Sequence, residues 1–155
     1  MNEKEISQFF ECLGEIWRDV TAIEFLMRCA IAKKEGALSK FPQPPYNKGK
    51  IYKNYPDSFS HYNFETVTAK FNLLFPVIQI PQNFIDFRHA MAHGIIVQIN
   101  NSGTEQLIKF RENKQLKELS VEFSLPLETK RLAQLRQSLH ELKGYIMKEV
   151  DDNKK

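Results

Sequence analysis

The segment FRHAMAHG, residues 87–94, places an arginine and two histidines within six residues, from Arg88 to His93. An arginine can bind a phosphate through two parallel hydrogen bonds and stabilise the negative charge that develops on it. A histidine gains and loses a proton near neutral pH, so it can act as a general base or acid. Because RNA carries its own nucleophile, the 2′-hydroxyl, these side chains indicate phosphodiester cleavage without a metal ion.

Two other interpretations of the same segment stay open. His89 and His93 are four residues apart, which is a spacing of helical zinc ligands. However, the segment has no glutamate directly after its first histidine, as in HExxH, and the chain has no further histidine or cysteine at a sequence spacing typical of zinc ligands. The other interpretation is structural, with the arginine paired to a carboxylate and both histidines hydrogen-bonded in a core. We expect no metal and no other cofactor.

The spacing of Arg88 and His93 limits how one helix can use them. On a straight helix the two side chains project about 140° apart, because each residue turns the helix by about 100°. They would converge on one substrate if the last turn loosened at Gly94. They would also serve one substrate if two chains met across a two-fold axis, since each chain then supplies its own copy.

The sequence RHAMAH, from Arg88 to His93, resembles the motif of the HEPN domain family, in which an arginine, a polar residue and a few variable residues precede a histidine. That family is a small helical bundle which carries the motif near a helix end and usually dimerises. Many members are metal-independent endoribonucleases of toxin–antitoxin and phage-defence systems. The resemblance implies that Arg88 contacts the scissile phosphate, that His93 transfers a proton, and that His89 orients the pair or touches the substrate.

The resemblance also implies partners and products. RNA would be the substrate, a homodimer the working form, and an antitoxin protein a further partner. Cleavage by in-line attack of the 2′-hydroxyl would leave a 2′,3′-cyclic phosphate and a 5′-hydroxyl. The alternative function is a non-catalytic HEPN-like module that binds a nucleotide or a protein partner.

Glu24 projects into the apolar arc of the first predicted helix, where an unpaired carboxylate would be costly. One interpretation is that it hydrogen-bonds to Arg88 or to a histidine of the motif and fixes its orientation. The other is that it lies at the rim of a wide apolar face and reaches solvent. Arg28, one turn further along, could extend such a network, but is expected to lie on the surface.

Residues 36–62 hold four lysines against one aspartate, so their net charge of +3 equals that of the whole chain. Lys48, Lys50 and Lys53 alternate with tyrosines, among them Tyr52. Lysines neutralise phosphates and aromatic rings stack on unpaired bases, so these four residues are predicted to bind RNA. The alternative is a solvated loop whose tyrosines pack on the bundle. An antitoxin or another acidic partner could use the same surface.

The apolar periodicity that must position these residues is helical over most of the chain. Helices are predicted over 3–35, with a bend or break near Gly14, over 64–75, and from Pro81 to the C-terminal stop at Gly94. A last helix is predicted to open at Pro126.

Between the third and the last helix the apolar period changes to two. Strands are predicted at 95–99 and 106–110, joined by a turn at 100–103, and 120–123 is a candidate third strand. The predicted fold is mainly α, an HEPN-like up-down bundle of four to five helices with a short β-hairpin inserted before the last helix. We expect a single domain over 1–150 and a frayed tail at 151–155.

Composition predicts a cytoplasmic protein that does not enter a membrane. The N-terminus is charged from residue 3 and lacks the apolar stretch of a signal peptide. No run approaches the roughly 18 apolar residues of a membrane span. Cys12 and Cys29 would lie roughly 25 Å apart on one helix, which is too far for a disulfide, and free thiols suit a reducing compartment.

Overall fold

The computed structural model describes residues 3–44, 46–99 and 104–151. Over these ranges the chain is mainly helical, with three antiparallel strands before the last helix, as the sequence predicted. The elements in chain order are α1 (Glu3–Lys34), a 3₁₀ turn (Leu38–Lys40), α2 (Asp57–Ser60), α3 (Phe64–Leu74), α4 (Gln82–His93), β1 (Ile95–Ile99), β2 (Thr104–Asn113), β3 (Glu118–Pro126) and α5 (Thr129–Asp151).

Helix α1 runs for 32 residues without the break expected near Gly14. One helical glycine costs only about 0.5–1 kcal/mol, which is small beside the burial of the apolar arc on the same helix. The helix ends at Lys34, two residues before Gly36, whose φ of 70° is the left-handed conformation that glycine adopts readily. Although α1 is long, the described residues contain no helix that is apolar enough over its length to cross a membrane.

Helices α3 and α4 begin after residues that suit a helix start. Asn63 precedes α3, and its side-chain oxygen accepts from the backbone N–H of Thr66 at 2.8 Å, which is an N-cap. Pro81 precedes α4, as predicted. The prediction that Pro126 opens the last helix was wrong, because Pro126 is the last residue of β3 and α5 begins at Thr129. A proline is tolerated there because β3 is an edge strand and its end needs no donor.

The sheet has the order β1-β2-β3, with both pairs antiparallel. On β3 the register shifts by one residue: Lys109 pairs with Phe123, whereas Phe110 pairs with Val121. Glu122 is therefore an extra residue opposite the junction of Lys109 and Phe110. This is a β-bulge, a feature that bends a strand and changes the direction of a side chain.

A single residue, Gly94, connects α4 to β1. Its φ of −87° is open to any residue, so conformational freedom is not why glycine is needed. A Cβ at this position would lie 2.4 Å from the carbonyl oxygen of Ala90 and 2.6 Å from that of Ile108. The absence of a side chain thus lets the helix end and the sheet approach closely, and α4 lies against both β2 and β3.

The chain divides into two compact units. One comprises 1–20 and 81–140 and the other 21–80 and 141–155. Buried residues of the first unit include Leu13, Ile16, Phe84, Phe87, Leu107, Leu132 and Leu139. Those of the second include Ile23, Met27, Phe41, Val67, Phe71 and Ile146. Each unit therefore has buried apolar residues of its own.

Candidate active site

The motif residues lie on α4, beside its buried face. Phe84, Phe87 and Ala90 are the buried residues of this helix. Arg88 is half-buried, whereas His93 is exposed as the last helical residue. Neither side chain is enclosed in apolar packing, so both can be reached from solvent.

The end of α4 does not loosen. The backbone N–H of Gly94 donates to the carbonyl of Ala90 at 2.6 Å, which is the spacing of a regular α-helix. Arg88 and His93 therefore keep their angular separation of about 140° on the helix. The helix end is therefore not distorted in the way that would bring these two side chains together.

His89 lies on a different side of α4 from Arg88 and close to a carboxylate of the sheet. The carboxyl of Glu122 has a pKa below its usual value, first because it accepts a hydrogen bond from Lys109, and also because of the charges of Lys109, Arg111 and His89. The Nζ atom of Lys109 lies 2.7 Å from Oε2 of Glu122. The structure thus groups one motif histidine with a lysine, an arginine and a glutamate from two strands.

These sheet residues were missed by the sequence analysis. Glu122 belongs to SVEF, whose alternation predicts a strand but gives no sign of an extra residue in the ladder. Lys109 belongs to QLIKF, where a lysine among apolar residues is typical of a strand edge or a solvent face. Only the pairing of β2 with β3 brings the two together, so no local pattern could have identified them.

Glu24 is paired with Arg28. The guanidinium Nη2 lies 2.8 Å from Oε1 of Glu24, and 18% of the Glu24 side chain is exposed. This ion pair compensates for the position of the carboxylate within the apolar arc. The further prediction, that Glu24 orients Arg88 or a histidine of the motif, stays a prediction.

Arg28 is not the surface residue that the sequence predicted, since only 13% of its side chain is exposed. Its Nη1 donates to the backbone carbonyls of Ser58, Phe59 and Tyr62 at 2.8–3.3 Å. A cation that satisfies the last carbonyls of a helix also interacts favourably with the helix dipole. Arg28 therefore holds the C-terminal end of the short helix α2.

In the basic loop, residues 36–62, the tyrosine side chains make defined contacts. The hydroxyl of Tyr52 donates to the carbonyl of Gln43 at 2.8 Å, and its ring centroid lies 6.4 Å from that of Tyr46. Lys50 places its Nζ over the Tyr52 ring, 5.0 Å from the centroid.

The lysines of this loop remain accessible. Lys48, Lys50 and Lys53 are all exposed, and Tyr52 is half-buried. The four residues predicted to bind RNA thus form an accessible basic and aromatic surface within the second unit.

Comparison of the chain with protein-family models, with curated proteins and with solved structures finds no match. Within 3–44, 46–99 and 104–151, no three side chains of His, Cys, Asp or Glu are grouped so that they could hold a metal ion.

Proposed function

We propose that this protein is a metal-independent endoribonuclease with an HEPN-like helical bundle. The observation that carries the proposal is the accessibility of the motif: α4 ends at His93, which is exposed, and Arg88 is only half-buried. An arginine and a histidine kept purely for packing would be enclosed. An exposed imidazole and a half-buried guanidinium suit a substrate such as RNA, whose backbone phosphate they can contact.

The reaction needs one proton removed and one proton delivered. A base takes the proton of the ribose 2′-hydroxyl, whose oxygen attacks the adjacent phosphorus while the bond to the 5′-oxygen breaks. The leaving oxygen takes a proton from an acid, and the products are a 2′,3′-cyclic phosphate and a 5′-hydroxyl. In the proposal His93 transfers protons, Arg88 stabilises the charge on the phosphate oxygens, and His89 orients the substrate.

A homodimer is part of the proposal because of the geometry of α4. The helix is regular up to Gly94, and Arg88 and His93 project to different sides of it. Two chains related by a two-fold axis can place Arg88 of one beside His93 of the other, and the symmetry makes two such pairs.

The proposal places RNA along the exposed lysines of the loop, Lys48, Lys50 and Lys53, with Tyr52 as an aromatic surface for bases. The same basic surface suits an acidic antitoxin, which would block access of RNA. A cytoplasmic toxin or phage-defence nuclease is the biological role that accords with these features.

The test is cleavage of mixed single-stranded RNA in EDTA by the wild-type protein, Arg88→Ala and His93→Ala. We expect cleavage by the wild type and a loss of at least about a hundredfold in each variant, the usual effect of removing a proton-transfer or charge-stabilising group. His61→Ala and Arg131→Ala are matched controls, since both side chains are exposed and lie outside the motif. Both should cleave like the wild type.

The products and the subunit arrangement give two further readouts. The upstream fragment should end in a 2′,3′-cyclic phosphate, and 2′-O-methylation at the cleavage site should abolish the reaction. Mixing Arg88→Ala with His93→Ala should restore about a quarter of the wild-type activity, because half of the dimers are mixed and each mixed dimer has one complete pair. Intact RNA with the wild-type protein would favour the binding module, and activity that EDTA removes would indicate a metal enzyme.

A further inference from the structure

Positive charge is concentrated on one part of the sheet beside the motif helix. Lys109 and Arg111 are two residues apart on β2, so both side chains point to the same face of the sheet. Leu107 lies on that face as well and is buried at 2% exposure. Because α4 lies against β2 and β3, this face is the one turned towards the motif helix.

A single carboxylate lies among these cations. The bulge on β3 adds Glu122 opposite Lys109, and the two side chains form an ion pair at 2.7 Å with 22% of the lysine and 42% of the glutamate exposed. His89 and Arg111 also act on this carboxyl, as the lowering of its pKa shows after the larger effect of Lys109. Lys109 thus pairs directly with Glu122, and Arg111 and His89 lie near enough to influence the same carboxyl.

Such a partly exposed ion pair is easily replaced. Exposed lysine–carboxylate pairs contribute little to stability, because solvent screens them. A phosphate offers more acceptor oxygens than a carboxylate, and arginine binds it through two hydrogen bonds. A phosphate that enters beside His89 would therefore meet Lys109 and the exposed Arg111 on the same face of the sheet.

We propose that Lys109 and Arg111 form a phosphate-binding subsite for single-stranded RNA, beside His89 and separate from the phosphate that Arg88 contacts. Glu122 competes for the side chain of Lys109 until the RNA phosphate displaces it. The subsite rests on the proposed ribonuclease function for its substrate, which would extend from the end of α4 across the sheet. The phosphate bound there would belong to a nucleotide flanking the cleaved linkage.

The test is the salt dependence of binding to a 2′-O-methylated single-stranded oligonucleotide, which lacks the nucleophile and is not cleaved. Fluorescence anisotropy between 50 and 200 mM salt gives the slope of log K against log salt, to which each phosphate contact contributes about 0.7 for single strands. Lys109→Gln combined with Arg111→Gln should reduce the magnitude of the slope by about 0.7, because the two cations together bind one phosphate. Glu122→Gln should tighten binding, because it removes the competing charge.

Lys117→Asn is the matched control. It removes one positive charge at the turn of the same hairpin, where φ is 54°, a conformation that asparagine tolerates. Its slope should stay within about 0.3 of the wild-type value, which is well under one contact. Circular dichroism of each variant separates loss of binding from loss of folding. The Glu122→Gln variant tests the same subsite without removing either cation.

Each result decides the proposal. An unchanged slope in the Lys109 and Arg111 double variant, an equal loss in Lys117→Asn, or weaker binding by Glu122→Gln would overturn the subsite. Failure of the wild-type protein to bind the oligonucleotide would overturn it too. If the slopes change as expected while the wild type leaves ordinary RNA intact, the subsite stands as a nucleic-acid contact and the ribonuclease function falls.

Discussion

Gly94→Ala is expected to destabilise the protein strongly, although alanine is the better helix former. The added Cβ would lie 2.4 Å from the carbonyl oxygen of Ala90 and 2.6 Å from that of Ile108. One of these oxygens is held in α4 and the other in the ladder of β1 and β2, where Ile108 pairs with Ile95. Both are backbone atoms, so neither can turn aside as a flexible side chain would.

The magnitude follows from the two clashes. Overpacking a well-filled site costs about 1–3 kcal/mol, and two backbone clashes place Gly94→Ala near 3 kcal/mol. The reduced freedom of the unfolded chain returns about 0.4–1 kcal/mol of this. The free energy of unfolding should therefore fall by about 2–3 kcal/mol, and the melting temperature by about 5–10 °C for a chain of this length.

Urea unfolding followed by circular dichroism measures this effect, with Gly14→Ala as the matched control. Gly14 lies within α1 and its added Cβ would have no atom within 4 Å, so alanine there should stabilise the protein by roughly 0.5–1 kcal/mol. Opposite signs in the two variants are the expected result. Equal stability of Gly94→Ala and the wild type would show that the sheet is not held this close to the end of α4.

Three other changes test the fold. Arg28→Ala should lower the free energy of unfolding by about 3 kcal/mol, since it leaves Glu24 and three carbonyls without their donor, and Arg28→Lys should restore only part of it. Burial raises the pKa of the Cys29 thiol from 9.0 to about 11, so the unfolded chain loses this proton at lower pH than the folded protein. The free energy of unfolding should therefore keep its full value below pH 9 and fall by about 2–3 kcal/mol as the pH rises to 11. Asn63→Ala should cost about 1 kcal/mol, and Asn63→Asp close to nothing.

Urea unfolding monitors all three. Full recovery in Arg28→Lys would contradict the role of the planar guanidinium in holding α2. For the thiol, the comparison is with Cys29→Ala over the same pH range, and parallel profiles of the two proteins would refute the assignment. Equal losses in both variants of Asn63 would show that the loss of its side-chain cap is not the cause.

The longer helices were predictable because each depends on residues close in sequence, whereas the short helix α2 was not predicted. The prediction of a helix over 3–35 matches α1, and that over 64–75 matches α3. Both follow from apolar residues three and four positions apart, which is the period of the helix itself. The error at Pro126 arose from the same kind of evidence, because a proline suits the end of an edge strand as well as the start of a helix.

The surroundings of the motif were not predictable in this way. RHAMAH identified Arg88, His89 and His93 and their place at a helix end, but not the carboxylate beside His89. Glu122 comes to that position through a bulge, which depends on how β3 pairs with β2. Similarly, Arg28 donates to carbonyls some thirty residues away in the chain, and the helical pattern around Arg28 does not predict these contacts.

Periodicity and composition alone were enough for the helical class, the strands before the last helix and the chemistry-bearing segment on α4, because these depend on interactions over a few residues. Folding in three dimensions decided that Lys109 meets Glu122, that Arg28 reaches the backbone carbonyls of residues 58, 59 and 62, and that Gly94 lies close to the carbonyl of Ile108. Such contacts join residues distant in sequence, and their energies depend on distance and burial, which no single segment encodes.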